Sequence, residues 1–311
     1  EINNSFLIGL NRFKPFGPFL RGNINLSTSM SHQYSTKRFA NFGVNLNFFT
    51  MTKQFFAFGG GTFISPLETY NLFELRTENR VLAIPRNREH WAWISTDYRN
   101  KFAIDINVNG SVVNQEGRNR LGVRVGPILR INDRLSFKLS TNYSKTNNYI
   151  GFVGRDTIPL FLEEPIVGRR DNINIENVLS SSYIFNNKMG LTLRMRHNWT
   201  EATHDKYYYV DVEGHLLDTD LTGFNDDGSS KYNYNFNYFS LDLVYTWQFA
   251  PGSFLTANWK NNIIPNNIGP GENYFYNLRN TVTNDQTNIL SVKIIYFLDY
   301  LSIEQMMRRE G

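Results

Sequence analysis

Apolar and polar residues alternate along many segments of the chain. In residues 101–112 they occupy opposite parities, with Ile104, Ile106, Val108 and Val112 on one side and Asp105, Asn107, Asn109 and Ser111 on the other. A period of two is typical of a β-strand with one apolar and one polar face. The pattern recurs at 134–145 and 189–200, and similar segments lie near 6–10, 20–32, 38–51, 119–131, 172–185 and 288–300. It predicts an all-β chain of amphipathic strands.

The connections between these segments alternate in length. Short ones with turn-forming residues lie at 52–53, 99–101, 132–133, 186–187 and 250–252. Longer ones lie near 64–87, 147–171, 201–230 and 264–286, with two shorter members near 33–37 and 114–118. Bacterial outer-membrane barrels sort their connections in this way, with short turns in the periplasm and long loops outside. The sequence therefore predicts a transmembrane antiparallel up-and-down β-barrel of the bacterial outer membrane.

The strand count suggests that this barrel is larger than the chain. Following the alternation backwards from the C-terminus gives about thirteen strands, whereas single-chain bacterial barrels have an even number. We therefore expect residues 1–311 to form one barrel domain that is incomplete at its N-terminus. On this interpretation the chain is the C-terminal part of a larger barrel, with at least one strand before Glu1.

One segment breaks the alternation. Residues Tyr232, Tyr234, Phe236 and Tyr238 share one parity, and Phe239, Leu241, Leu243, Tyr245 and Trp247 share the other. A β-bulge near Tyr238 would restore the apolar face. Alternatively, the outer half of this segment lies above the membrane, where the direction of its side chains is not constrained.

Composition narrows the class of protein. Hydrophobic residues make up 41% of the chain, aromatic ones 15% and charged ones 19%, and the mean hydropathy is −0.40. No stretch approaches the roughly 18 apolar residues that a membrane-spanning helix needs. The absence of cysteine excludes disulfides, cysteine-ligated zinc and thiol chemistry. The net charge of +4 is spread along the chain, which argues against a nucleic-acid partner.

Several strand-and-turn fragments resemble one protein family. They are FGPFLRGNINLS at 16–27, WISTDYRNKFAIDINVNG at 93–110, YIGFVGRD at 149–156 and GSFLTANWKNN at 252–262. They are similar to large outer-membrane proteins in which an N-terminal domain, like a family-nine carbohydrate-binding module, precedes a C-terminal barrel of unknown function. The resemblance implies an outer-membrane location and a glycan-binding module outside residues 1–311. None of the fragments is a catalytic signature.

Charged side chains on the polar parity are the candidates for function. By parity we expect a lumen to be lined by Arg120, Arg124, Lys138, Arg194, Arg196, Asp105, Glu176 and Asp242. Opposed charges in a lumen can select solutes, and the excess of basic residues favours anions. The alternative is that these charges pair across neighbouring strands and simply fill the interior.

Metal binding and hydrolysis are weaker alternatives. Segment 201–230 is acidic, but it lacks the regular spacing and terminal glutamate of a calcium loop. We therefore expect no metal and no cofactor. The chain has five histidines, and His90 and His204 are the ones to test for hydrolysis at the rim. No serine motif accompanies them, although a catalytic histidine needs a nucleophile and an orienting partner.

The leading hypothesis is a non-enzymatic outer-membrane barrel that acts as a membrane anchor or scaffold, or as a solute channel, within a larger membrane complex. The alternatives are an outer-membrane hydrolase and a component of a secretion or uptake machine. Expected partners are outer-membrane lipid and lipopolysaccharide, other outer-membrane or periplasmic proteins, and glycans through a further N-terminal domain. Interfacial aromatic girdles are expected to include Trp91, Trp93, Trp199, Trp247 and Trp259.

Overall fold

The computed structural model describes residues 1–158, 162–265, 269 and 271–298. Its elements are β1 Ile2–Arg12, β2 Phe19–His32, β3 Phe39–Thr52, β4 Ala57–Ser65, β5 Thr69–Asn71, β6 Leu82–Ile84, β7 Asn87–Ser95, β8 Phe102–Val113, β9 Asn119–Arg130, β10 Leu135–Ile158, β11 Leu162–Asn186, β12 Met189–Val210, β13 Leu216–Asp218, β14 Tyr234–Ala250, β15 Ser253–Ile263, α1 Tyr274–Val282 and β16 Gln286–Ile295.

Nearly all of the strands belong to one antiparallel sheet. The sheet has 14 strands in the order β1-β2-β3-β4-β7-β8-β9-β10-β11-β12-β14-β15-β16, with β13 paired to β12, while β5 and β6 form a separate hairpin. Strands that follow one another in the chain therefore lie side by side, and the predicted all-β, up-and-down order is confirmed. The closed barrel is not observed: among the described residues, β1 pairs only with β2, and β16 pairs only with β15.

The two ends of the sheet differ as the connection lengths predict. At one end, the short-turn end, strands are joined by residues 13–18, 53–56, 96–101, 131–134, 187–188 and 251–252. At the other, the long-loop end, residues 66–86, 211–233 and 264–285 form the longest connections. Asx-type turns close several of the short turns; for example, Asn132 Oδ1 accepts from both Arg134 N and Leu135 N at 2.9 Å.

The strand register gives the sheet one apolar and one polar face. Asn142 lies opposite Arg124 on one side and Glu176 on the other, so these polar residues share a face. The apolar residues at the alternate positions of these and neighbouring strands point to the opposite face and are exposed: Val108 is 42% exposed and Leu139 36%. An apolar face of this extent on a single chain needs an apolar environment to cover it.

Two segments expected to be loops are strand. The connection predicted near 147–171 is wrong for its described residues, because β10 continues to Ile158 and β11 begins at Leu162. The connection predicted near 201–230 is wrong over 201–210, where β12 continues. Register shifts after Thr146 and at Arg169 and Arg170 interrupt the ladder without ending it. Beyond these shifts both sides of the strands are packed, so their residues no longer alternate in polarity and give no strand signal.

The sheet is strongly curved. Strands β3 and β12 are separated by β4, β7, β8, β9, β10 and β11, which in a flat sheet would place them more than about 30 Å apart. Nevertheless Arg38, next to β3, donates through Nη2 to the carbonyl oxygen of Glu213, just after β12, at 2.9 Å. The long-loop ends of distant strands therefore meet.

A small apolar core fills this meeting point. Leu75 and Leu82 pack with Ile150, Val167 and Val210, and all of them are at most 3% exposed. Residues 66–86 and 211–216 thus form a folded unit on the extended ends of β10, β11 and β12, which we call the cap. A hydrogen bond from Ala83 N to the carbonyl oxygen of Gly214, 2.8 Å long, joins its two segments.

Helix α1 explains the break in alternation along β14. No register shift interrupts the pairing of β12 with β14, so the bulge near Tyr238 is wrong. Instead, Asn237 on the normally apolar parity is covered by the helix, and its Nδ2 donates to Asn277 Oδ1 at 2.9 Å. Asn273 caps the helix by accepting from Tyr276 N at 3.0 Å.

The tryptophans divide between the two faces. Trp247 and Trp259 lie on the apolar face and are each 39% exposed. Trp199 is on the same parity but only 5% exposed, because Tyr274 of α1 packs on it with ring centroids 5.9 Å apart. Trp91 and Trp93 are opposite Asn109 and Asn107 on the polar face. The girdle expected from the sequence is therefore wrong for Trp91 and Trp93.

The two tryptophans on the polar face, Trp91 and Trp93, need glycines on the neighbouring strand. Trp91 lies against Gly61, and Trp93 against Gly59, where an added Cβ would be 2.5 Å from Trp91 Cζ2 or 3.0 Å from Trp93 Cζ2. The ring of Trp93 also stacks on Phe49, with centroids 5.9 Å apart. Glycine at these positions allows the indole rings to lie flat against the strand.

Candidate functional site

The charged residues predicted to line a lumen share the polar face. One row of paired positions runs from Lys138 through Ser180 and Arg194 to Asp242 and Lys260. A second row, nearer the long-loop end, contains Arg124 and Glu176. Arg120 lies closer still to that end, opposite Ser111 and Thr146, and further positions of the face hold Arg196 and Asp105.

Two ion pairs neutralise part of this face. Arg196 Nε lies 3.3 Å from Glu176 Oε1, and Lys260 Nζ lies 3.6 Å from Asp242 Oδ1. Both pairs join adjacent strands, which is the arrangement expected of residues that fill an interior. Because these side chains are between 31% and 43% exposed, the pairs contribute little to stability.

The remaining predicted residues are not neutralised in this way. Within the described residues, Arg120, Arg124, Lys138 and Arg194 form no salt bridge. Asp105 accepts from Ser95 Oγ at 2.5 Å and from the hydroxyl of Tyr98. The polar face therefore carries an excess of positive charge.

Three arginines line a pocket near the cap. This pocket, which we call the mouth pocket, has a volume of about 460 Å³ and is bounded by five adjacent strands, β7 to β11, and by Ile84 of the cap. Its polar lining consists of Asn87, Glu89, Ser111, Arg118, Asn119, Arg120, Thr146, Tyr149, Arg170 and Asn172. A pocket bounded by so many strands requires the polar face to be concave.

Tyr149 organises one wall of the mouth pocket. The guanidinium carbons of Arg118 and Arg170 lie 5.3 Å and 5.1 Å from the centre of its ring, a cation–π arrangement that fixes both cations. Glu74 of the cap accepts from Phe152 N at 2.9 Å and so holds the cap beside this wall.

Sequence reasoning found only one of the arginines of this pocket. Arg120 was expected on the polar face, whereas Arg118 lies in a turn and Arg170 in a segment taken as a loop. A usable signal was present, because the segment from Tyr149 to Arg170 is rich in strand-forming residues and ends in paired arginines.

A cluster of ionisable residues fastens the cap across the long-loop end. His215 Nε2 lies 3.0 Å from Glu68 Oε1, and its Nδ1 lies 3.6 Å from Asp211 Oδ2 and 3.8 Å from Glu213 Oε2. The hydrogen bond with Glu68 raises the pKa of His215. We call these residues the mouth clasp. They join the loop after β4 to the turn after β12.

Three further acidic residues of segment 201–230 contact cations or backbone. Asp205 pairs with Arg169 at 2.5 Å and Asp218 with Lys206 at 2.7 Å, while Asp227 Oδ1 accepts from Ser229 N at 2.9 Å. No group of three or more potential metal ligands occurs among the described residues.

The two histidines considered for hydrolysis lie in different surroundings. His90 is exposed on β7, opposite Thr62 and Gly110. His204 is packed against Tyr207 and Tyr232, and its backbone N donates to Asn233 Oδ1 at 2.7 Å. The Nδ1 of His204 lies 3.4 Å from the same Asn233 oxygen, and His204 is paired with Arg170 of β11.

Together these features define an all-β protein built on one antiparallel meander, with an apolar face, a basic polar face and a capped pocket. A family model described as "Domain of unknown function (DUF5916)" matches residues 1–307. The chain therefore belongs to this family. A comparison with curated proteins gives no match. In the part of the chain that the structure describes, no helix has the length and apolar character needed to cross a membrane.

Proposed function

We propose that the sheet is the wall of a bacterial outer-membrane β-barrel, with the apolar face in lipid and the polar face inside. The observation that carries the proposal is the continuous exposure of apolar side chains along one face of successive strands, such as Leu46, Val108 and Leu129 at 41–42%. Lipid-facing and interior residues alternate in such barrels. Sorted connection lengths support the same orientation, with the short-turn end in the periplasm.

Within this class, we propose a non-enzymatic barrel whose interior admits and holds a small solute below the cap. The mouth pocket and the unneutralised arginines support this function over that of a plain membrane anchor, because an anchor requires no concave basic site. Membrane lipid and lipopolysaccharide are then the immediate surroundings. Glycans and other envelope proteins are the partners that the family resemblance suggests.

Adjacent residues of β8 allow a sharp test, because the chain has no cysteine. In two single-cysteine variants, Val108→Cys on the apolar face and Asn109→Cys on the polar face, a nitroxide label is attached and the protein is reconstituted in lipid vesicles. We expect the label at 108 to be accessible to dissolved oxygen, which partitions into lipid. The label at 109 should be accessible to a water-soluble nickel complex.

The paired design gives each label its own control. Both residues lie in the same strand, so unfolding or aggregation would change both labels alike. Greater accessibility of residue 108 than of residue 109 to the nickel complex would contradict the proposal. So would a monodisperse protein in buffer without detergent.

Solute passage is tested separately by the conductance of the purified protein in planar bilayers. A capped interior should give small currents that favour anions, because the interior charge is basic. A barrel that lacks any conductance would favour the membrane-anchor role instead.

A further inference from the structure

The mouth pocket holds more positive charge than its own residues neutralise. Arg118, Arg120 and Arg170 line it, against the carboxylate of Glu89 in the lining and that of Glu74 beside Tyr149. None of the three arginines forms a salt bridge within the described part of the chain. Guanidinium groups present several N–H donors in a planar fork, which matches the oxygens of a carboxylate or phosphate.

Arg118 is the arginine whose charge a bound anion would stabilise most. It is only 7% exposed, and its Nη1 donates to the neutral amide oxygen of Gln115 at 3.0 Å. A buried cation with no anion within salt-bridge distance is costly, and burial lowers the pKa of Arg118 by more than the more distant carboxylate of Glu74 raises it. A bound anion would offset this cost.

The pocket also offers groups that suit hydroxyls. Asn172 Oδ1 is buried and accepts no hydrogen bond from any described residue, so it is available to a donor such as a sugar hydroxyl. Ser111, Thr146 and Asn87 line the same space. The volume of about 460 Å³ is in the range of small-molecule sites, and one sugar unit fits within it.

We propose that the mouth pocket binds a monosaccharide-sized ligand that carries an oxyanion, with Arg118, Arg120 and Arg170 contacting the anion and Asn172 accepting from a hydroxyl. A sugar carboxylate and a sugar phosphate share this chemistry. The inference rests on the proposed function, because it identifies the solute that the barrel interior would hold.

The test measures binding to the detergent-purified chain by isothermal titration calorimetry. The probes are D-glucuronate, glucose 6-phosphate and, as the neutral reference, D-glucose. We expect at least one anionic probe to bind at least tenfold more tightly than glucose, with an affinity that falls as salt is added. The stronger anionic probe distinguishes the carboxylate from the phosphate.

Two matched variants on β9 identify the site. Arg120→Gln removes an exposed pocket cation without disturbing the core, and Arg124→Gln removes a cation from the same face outside the pocket lining. Arg120→Gln should weaken binding of the anionic probe about tenfold, whereas Arg124→Gln should leave it unchanged. Equal weakening by both variants would show a diffuse surface attraction and would overturn the assignment.

The binding result and the membrane result can fail independently. No binding of either anionic probe, or equal binding of D-glucose, would overturn the ligand assignment even if the labels at 108 and 109 behave as expected. Conversely, anion binding by a protein whose apolar face is not in lipid would support the ligand assignment and contradict the barrel proposal.

Discussion

At the residue scale, the mouth clasp makes the cap sensitive to pH. His215 is bonded to Glu68 and lies close to Asp211 and Glu213, so its charged form is favoured and its pKa rises above the ordinary 6.5. This stabilisation is fully present below pH 6.5 and is lost as the pH rises through the raised pKa. The pKa of Asp211 is held below 3.8, mainly by the hydrogen bond from His215 N. Its contribution is present above pH 3.8 and is lost as the pH falls through the lowered pKa.

We therefore expect the cap to be most firmly held at mildly acid pH. A nitroxide label on Leu67→Cys, which is 53% exposed beside Glu68, should become more mobile in electron paramagnetic resonance spectra between pH 6 and pH 9. The additional substitution His215→Gln should abolish this change, since glutamine does not titrate. The control His90→Gln, on β7, should retain it. A label mobility that does not depend on pH in the parent protein would contradict the prediction.

At the scale of one element, α1 covers a polar band on a face that is otherwise apolar. Asn277 is fully buried, and its Oδ1 accepts from Asn235 and Asn237 of β14, both at 2.9 Å. Tyr274 accepts from Asn177 of β11 at 2.9 Å. Amides on this face would be costly in hydrocarbon, so the helix must remain in place for β12 and β14 to be stable at this end.

Replacing Asn277 should loosen the helix from the sheet. Asn277→Ala leaves the Asn235 and Asn237 amides with one partner fewer, which costs about 1–3 kcal/mol. Hydrogen exchange of residues 274–282 should accelerate accordingly. Asn280→Ala on the same helix gains the same helix propensity without losing a side-chain bond to the sheet, and its exchange should stay as in the parent. Equal exchange in the two variants would show that these amides do not hold the helix.

The same elements show what the sequence could and could not predict. Amphipathic strands such as β8 were predicted because each of their faces contacts one kind of environment. Their sequences therefore alternate strictly between apolar and polar residues. The extensions of β10–β12 were missed because they are packed on both sides. The helix was missed because the residues that it buries, Asn277 and Thr281, are polar, so the sequence shows no apolar face at helical spacing. Among the arginines of the mouth pocket, Arg120 was predicted from its parity on β9. Arg118 and Arg170 were not, because they are distant in sequence and come together only when the sheet has folded.

At the scale of the whole molecule, the cap packs a small apolar core against the extended ends of β10, β11 and β12. Leu75 is fully buried in it. Leu75→Ala should destabilise the cap by about 2–5 kcal/mol, the usual cost of truncating a buried leucine. Hydrogen exchange of residues 66–86 and 211–216 should rise, while the amides of β2 and β3 keep their protection. Leu67→Ala, in the same loop but 53% exposed, is the control. Loss of protection throughout the sheet would show that the cap is not a separate unit.

The positions of the cap-core residues along the chain also determine when this core can form during folding. Its residues come from stretches as far apart as Leu75 and Val210, and strands β7 to β11 lie between the places where those stretches leave the sheet. Closing so large a loop carries an entropic cost that only the intervening strand pairs can offset. The cap can therefore become ordered only after the intervening strands have paired, so ligand binding in the mouth pocket would report that this part of the sheet has folded.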